Sequence, residues 1–321
     1  MTNVIVLGGG ISGCVCAYRL ARSGFGVTLV EKGRGVGGRM ATRRMGEARI
    51  DHGAQFFTAR DPRLKSFLGD WEKDAIVRPW YDSIAGRPDV PTGTRYRGVE
   101  GMTSPAKFLA RSFKVEKSFL VDKIVRAEQW SVVERMGENR VLNADHLVVT
   151  FPGPQVVELF DRSDFSLDTE VMDRLKAIRY TRCIALLGLL AGPSTLESPG
   201  TVTHPNADVD WVSDNQIKGI SEHPACTVHA SDEFSQKHWD SPDDVRGPFL
   251  KKVAEETLGT QVTDWNCHRW GFAKPLVTFG ADYFHSAEQS LTLAGDGFGG
   301  ERIESAFLSG WEAAERIVRN P

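Results

Sequence analysis

The sequence predicts an α/β fold: a Rossmann-like dinucleotide-binding domain with a parallel sheet, and an interleaved α+β domain with an antiparallel sheet. Three observations predict it. Short runs at 4–7, wholly apolar, and at 27–30 and 291–294, apolar but for one threonine each, read as strands buried on both faces, as parallel sheets require. Thirty-two glycines, above the roughly 7% of an average chain, cluster at 8–13, 33–38 and 295–300. Alternating stretches such as Thr227-Val228-His229-Ala230 fit half-buried strands of a second sheet.

The composition narrows the function classes. The 321 residues are 41% hydrophobic and 25% charged, with a net charge of −3. That excludes a disordered or collagen-like chain, and the missing basic excess argues against a nucleic-acid partner. The longest apolar run, 184–191, is far short of the roughly 20 residues of a membrane span. The opening MTNVIVLGGG lacks a basic leader and is expected to be the first strand rather than a signal peptide. Cysteines at 14, 16, 183, 226 and 267 form no CxxC pair, so unpaired thiols in a reducing cytoplasm are expected. The eight histidines show no HExxH or zinc spacing, and no metal is expected. GxSxG and P-loop signatures do not occur.

The N-terminal unit can be justified element by element. Val4, Ile5, Val6 and Leu7 form the first strand, and Gly8-Gly9-Gly10-Ile11-Ser12-Gly13 follows it. Gly8 permits the tight turn, Gly10 lets a phosphate approach the backbone, and Gly13 lets the next helix pack on the sheet. That helix, over 14–23, turns Ala17, Leu20 and Ala21 to one face and uses Cys14 and Cys16 as small packing residues. Its N-terminus offers free N–H groups and a positive dipole end to a pyrophosphate. The second strand, 27–30, ends in Glu31, placed to accept hydrogen bonds from a ribose. Strand, GxGxxG, helix, strand and acid in this register point to an ADP-containing dinucleotide.

Two further segments favour FAD over NAD. Lys32 to Met40 forms a second glycine-rich loop whose Arg39 puts a cation beside the pyrophosphate. Near the C-terminus the strand 291–294 runs into Gly295-Asp296-Gly297-Phe298-Gly299-Gly300, and a helix is expected from about Glu301 to Arg319. Its small and apolar positions 303, 306, 307, 310, 314 and 317 recur at helical spacing. Asp296 is placed to hold a ribityl hydroxyl, with the following helix N-terminus facing the flavin.

With these residues the sequence resembles the glutathione-reductase-like FAD superfamily, in its amine-oxidase and renalase branch. Closer similarity to renalase-like proteins rests on Asp51-His52-Gly53-Ala54-Gln55-Phe56-Phe57-Thr58, on Val99-Glu100-Gly101-Met102 and on His268-Arg269-Trp270. The resemblance implies that Ser12 and Arg39 contact the FAD phosphates and Glu31 the adenosine ribose. It implies that Gln55 and Phe56 lie near the flavin ring, the Val121 backbone near adenine, and Asp296 near the ribityl chain. Gly8, Gly10, Ile11, Gly13, Lys32, Gly38, Met40, Ala54, Gly297 and Ile303 complete the implied cofactor contacts. Some amine oxidases tether flavin to a cysteine near the C-terminal motif; residues 268–321 contain none, so the FAD is expected to be non-covalent. There is no clear equivalent of the lysine that meets flavin N5 through water; Lys274 is the candidate substitute.

The remaining chain is less explicit. Ser104 and Pro105 read as N-cap and first residue of a helix through Phe113. Segments 115–121, 123–129 and 130–136 suggest a three-stranded meander, and 147–150 another buried strand. Residues 1–60, 100–155 and 270–321 are expected to form the FAD domain, and 61–99 and 156–269 the substrate domain. The Asp243-Asp244 pair reads as a helix start. Trp270 and Trp211 are candidate pocket walls, and His229 and His268 read as packed or surface residues. No catalytic side chain is assigned; Gln55, Trp270 and Lys274 are the candidate pocket residues.

The resemblance implies a small-molecule donor, here a 2- or 6-dihydro isomer of NAD(P)H, giving a hydride to flavin N5, with O2 as acceptor and H2O2 as product. A small-amine oxidase and a flavin-binding protein without turnover are the alternatives. The Asp296 segment argues against a plain NAD-dependent dehydrogenase.

Overall fold

The computed structural model describes residues 1–83, 93–135, 137 and 140–320. A six-stranded sheet runs in the order Phe284–Ser286, Leu291–Leu293, His146–Val149, Asn3–Leu7, Gly26–Val30, Lys114–Glu116. Every neighbouring pair is parallel except the first. The central strands are mostly apolar because both faces are covered. Val4 and Val6 belong to one core, under the helices Ile11–Arg22 and Ile303–Arg319; Ile5 and Leu7 belong to the other. That second core lies beneath the helices Gly153–Arg162 and Thr169–Ala177 and a three-stranded sheet. The carboxyl ends of three neighbouring parallel strands bring Gly8, Glu31 and Thr150 to one edge, where ligands of such sheets bind.

The first helix, expected over 14–23, runs Ile11–Arg22, its first turn being the second half of the glycine motif, and three further boundaries differ from expectation. The meander consists of Val121–Arg126, Trp130–Glu134 and Val141–Ala144, whereas Lys114–Glu116 leaves it to pair with Gly26–Val30. An open edge beside a parallel strand outcompeted the local hairpin. Met136, the end of the expected third strand, lies outside the described residues. The helix from Ser104 stops at Leu109 and tightens into a 3-10 turn, Ala110–Ser112. The C-terminal helix starts at Ile303, after a separate turn, Asp296–Gly299.

The second sheet is antiparallel, in the order Thr201–Asn206, Val209–Asp214, Ala225–Ala230, Cys183–Leu190, Val262–Trp270. The helix Asp243–Leu258, opened by two acids in its first turn, covers one face with Leu250, Val253, Ala254 and Leu258. On the other face, Leu187 and Ala225 pack against Ala48 and Ile50. Those two belong to the hairpin Thr42–Met45/Ala48–Asp51, which follows the second glycine-rich loop. The hairpin thus carries residues 51–56 to the border of the two sheets.

Candidate FAD and substrate site

The phosphate cradle is made by backbone. Gly8 has φ +108°, and a Cβ on Gly13 would lie 2.0 Å from the Gly8 carbonyl, so the turn and the helix approach both exclude a side chain. A Cβ on Gly10 would meet nothing within 4 Å, so that side of the loop is open. Next to it the Ser12 hydroxyl is buried without a hydrogen-bond partner. An open loop and an orphaned donor at a helix N-terminus suit a phosphate. The second loop closes on the first: Gly37 N donates to Gly9 O at 2.7 Å, and Gly38 sits beside Gly10. Glu31 accepts from Gly9 N at 2.8 Å and Gly33 N at 2.7 Å. Phe119 N donates to Glu31 O, which brings the strand beginning at Val121 alongside. Lys32 is exposed, whereas Ile11, Met40 and Ile303 meet behind the loop around a small apolar gap.

Arg39 spans from this cradle to the C-terminal motif. Its guanidinium donates to both carboxylate oxygens of Asp296, at 2.6 Å to Oδ1, and to the Phe272 carbonyl at 2.9 Å. The Tyr180 hydroxyl donates to Asp296 Oδ1 at 3.3 Å, and Gly297 leaves room for that hydroxyl. Burial opposes the Arg39 charge, but Asp296 and Tyr180 outweigh it and its pKa is raised. Burial and Asp296 push the Tyr180 pKa up, so its proton stays on. Tyr180 and Phe272 carried no motif and were not legible in the sequence.

A second cluster lies on the substrate-sheet side. His52 stacks on Trp270, with centroids 5.4 Å apart, and meets the edge of His268 at 4.9 Å. Trp270 Nε1 donates to the His52 carbonyl at 2.9 Å, and His229 Nε2 donates to the same oxygen at 3.1 Å. Burial, reinforced by His268, Arg43 and His229, pushes the His52 pKa down to about 3. Burial takes His229 to about 4 and lowers His268. These histidines are neutral at neutral pH. Lys274 is exposed, and its backbone pairs with Thr181. Ala54 N donates to Arg39 O at 2.8 Å, tying this cluster to the cradle.

Beside the second cluster lies a buried ion pair. Lys218 Nζ donates to Asp51 Oδ2 at 2.7 Å, and both side chains are fully buried. Asp51 Oδ1 also accepts from Thr42 Oγ1 and Met102 N. Lys218 and Ser213 Oγ both donate to Gln55 Oε1, while Gln55 Nε2 donates to the Asp51 and Gly53 carbonyls. Every polar atom of Gln55 is therefore committed within the protein. Burial lowers the Lys218 pKa, with Asp51 opposing that shift. Alongside, Phe56, Trp80, Tyr81 and Trp211 form an aromatic quartet with ring centroids 4.8–6.5 Å apart. Lys218 sits 4.9 Å over Trp80, and Arg95 lies 5.4 Å over Phe56 and 4.9 Å over Tyr81.

The family model of flavin-containing amine oxidoreductases matches residues 87–318, and that of the NAD(P)-binding Rossmann-like domain matches residues 6–71. The chain belongs to the flavin-containing amine oxidoreductase family. It is an FAD-dependent oxidoreductase. Solved structures show the same fold at low identity. A putrescine oxidase variant with redesigned cofactor binding superposes with a TM-score of 0.75 at 13% identity, covering 100% of this chain and 99% of that one. A protein from Exiguobacterium sp. 255-15, provisionally named protoporphyrinogen oxidase, gives 0.74 at 14%, covering 100% and 99%. Cyclohexylamine oxidase from Brevibacterium oxydans IH-35A gives 0.71 at 14%, covering 99% of each. Among the described residues no helix is long and apolar enough to cross a membrane, and no cluster of metal-ligating side chains occurs.

Proposed function

We propose that this enzyme is a renalase-like oxidase that converts 2- or 6-dihydro isomers of NAD(P)H to NAD(P)+. The overall reaction takes the donor, O2 and one proton to NAD(P)+ and H2O2. FAD, when bound, accepts the hydride and delivers the electron pair to O2. In this reading Ser12 and Arg39 hold the FAD phosphates, Glu31 the adenosine ribose and Asp296 the ribityl chain, without a covalent tether. Residues 1–60, 100–155 and 270–321 serve the cofactor and 61–99 and 156–269 the substrate. Five free cysteines suit a cytoplasmic setting.

The observation that carries this reading is the uncharged wall of His52, His229, His268 and Trp270. A dihydronicotinamide that gives up a hydride becomes an aromatic cation and sheds no proton, so its oxidation needs no base. Neutral imidazoles do not repel the cationic product. An amine is protonated at neutral pH and must lose that proton before it reacts well. The aromatic quartet favours the amine reading, because ring faces attract cations. Lys218 and Arg95 already lie over three of those rings, so one face of each is taken.

The test is product balance. The isomer mixture from chemically reduced NAD+ is expected to yield NAD+ and H2O2 in a one-to-one ratio. H2O2 from simple amines, and none from the isomers, overturns the proposal.

A further inference from the structure

A groove of about 370 Å³ opens between the helix Thr169–Ala177, the strand Arg179–Tyr180 and the turn at Gly271. Its charged lining residues are Lys176, Arg179 and Arg182, with no carboxylate among the lining residues. The whole chain carries a net charge of −3, so a purely cationic groove does not mirror its composition. All three cations are exposed, and no ion pair engages them among the described residues. Arg179 turns onto the Lys176 and Ile178 carbonyls, and Arg182 is steadied 4.7 Å over the Trp239 ring. The nearby carboxylate of Asp232 is already used, accepting from Arg182 N at 2.7 Å and Gln236 Nε2 at 2.8 Å.

The floor is apolar: Val157, Leu175, Ile178 and the rings of Tyr180 and Phe272, the rings edge-to-face at 5.5 Å. Tyr180 and Phe272 join the groove to the cofactor side, because the Tyr180 hydroxyl reaches Asp296 and the Phe272 carbonyl receives Arg39. Two lining residues thus border the Arg39–Asp296 pair, and the three cations lie along the groove.

The geometry points to this groove as the seat of the adenylate–pyrophosphate half of a dinucleotide donor, an inference that rests on the dihydronicotinamide reading above. Lys176, Arg179 and Arg182 take the phosphates through charge-assisted hydrogen bonds, and the aromatic and aliphatic floor takes the adenine. The groove thus selects dinucleotides over small amines, which carry no anionic group.

The test uses FAD-loaded enzyme and ADP-ribose, which has the phosphates but no reducible ring. Calorimetry is expected to show salt-sensitive binding that weakens at least about tenfold in Lys176→Ala/Arg179→Ala/Arg182→Ala, a loss of about 1.4 kcal/mol. KM for the dihydro-NAD isomers rises by the same factor with kcat within about twofold. Turnover of dihydronicotinamide riboside, which has no phosphate, stays unchanged. If the triple variant loses its flavin band, Lys176→Ala/Arg179→Ala carries the same comparison without disturbing the Trp239 contact. Equal ADP-ribose affinity in wild type and variant, or none in wild type, overturns the assignment. Binding that depends on the three cations, in an enzyme that oxidises no isomer, overturns the donor reading and leaves the groove standing.

Discussion

The phosphate cradle draws its loops and first helix from residues 3–38, and its main chain closes on itself: Gly8 N donates to Val30 O and Gly37 N to Gly9 O. The substrate-side wall is assembled from side chains at 51–56, 80–81, 211–229 and 268–270. The cradle works through backbone shape and tolerates little beyond glycine. The wall works through pairing, burial and protonation, and its members are individually replaceable only with their partners. Perturbations of the two regions are therefore expected to fail differently.

The largest effect is expected in the cradle. Gly13→Val puts a side chain against the Gly8 carbonyl, where a Cβ has only 2.0 Å, and the purified protein should lose its yellow band at any flavin concentration. A variant that retains the band breaks the claim that backbone shape makes this site.

In the wall, Lys218→Met strands the buried Asp51 carboxylate, and denaturant unfolding should show a loss of about 3–5 kcal/mol. Asp51→Asn added to Lys218→Met removes the stranded charge and should recover most of that loss. No recovery would mean that the ion pair does not act as a unit.

Acid should separate wild type from a wall variant. His52 and His229 are neutral when folded, with pKa values near 3 and 4, against about 6.5 unfolded. The unfolded chain therefore binds more protons in this window. Their contribution to stability is complete above about pH 6.5 and is lost as pH falls toward 4. The urea midpoint should drop from pH 7.5 to pH 5, and drop less in His52→Asn. The smallest effect is expected at Lys274, which is exposed: Lys274→Ala should leave the flavin reduction rate within about twofold.

The same contrast explains what could be read in advance. The first strand, GxGxxG, the following helix and Glu31 are fixed by neighbours close in sequence, and their spacing carries the signal. The Arg39–Asp296 pair joins residues 257 apart in sequence, and Lys218–Asp51 joins residues 167 apart. Arg39 and Asp296 stood in glycine-rich loops and could be singled out one by one. Lys218 lies in a turn of ordinary composition, where only its burial reveals its role. Trp80 and Tyr81 lie on a short strand, Val77–Tyr81, and the contact of Trp80 with Trp211 arises only when the second sheet docks. Lys114–Glu116 was misread for the same reason: its partner strand is 86 residues earlier in the register.

The most direct measurement is anaerobic. Flavin-loaded enzyme is mixed with 2- and 6-dihydro-NAD, with ordinary NADH and with small amines, and the flavin absorbance is followed before air is admitted. The account predicts rapid bleaching by the isomers alone, with colour and H2O2 returning in air. A flavin that stays oxidised with the isomers contradicts it.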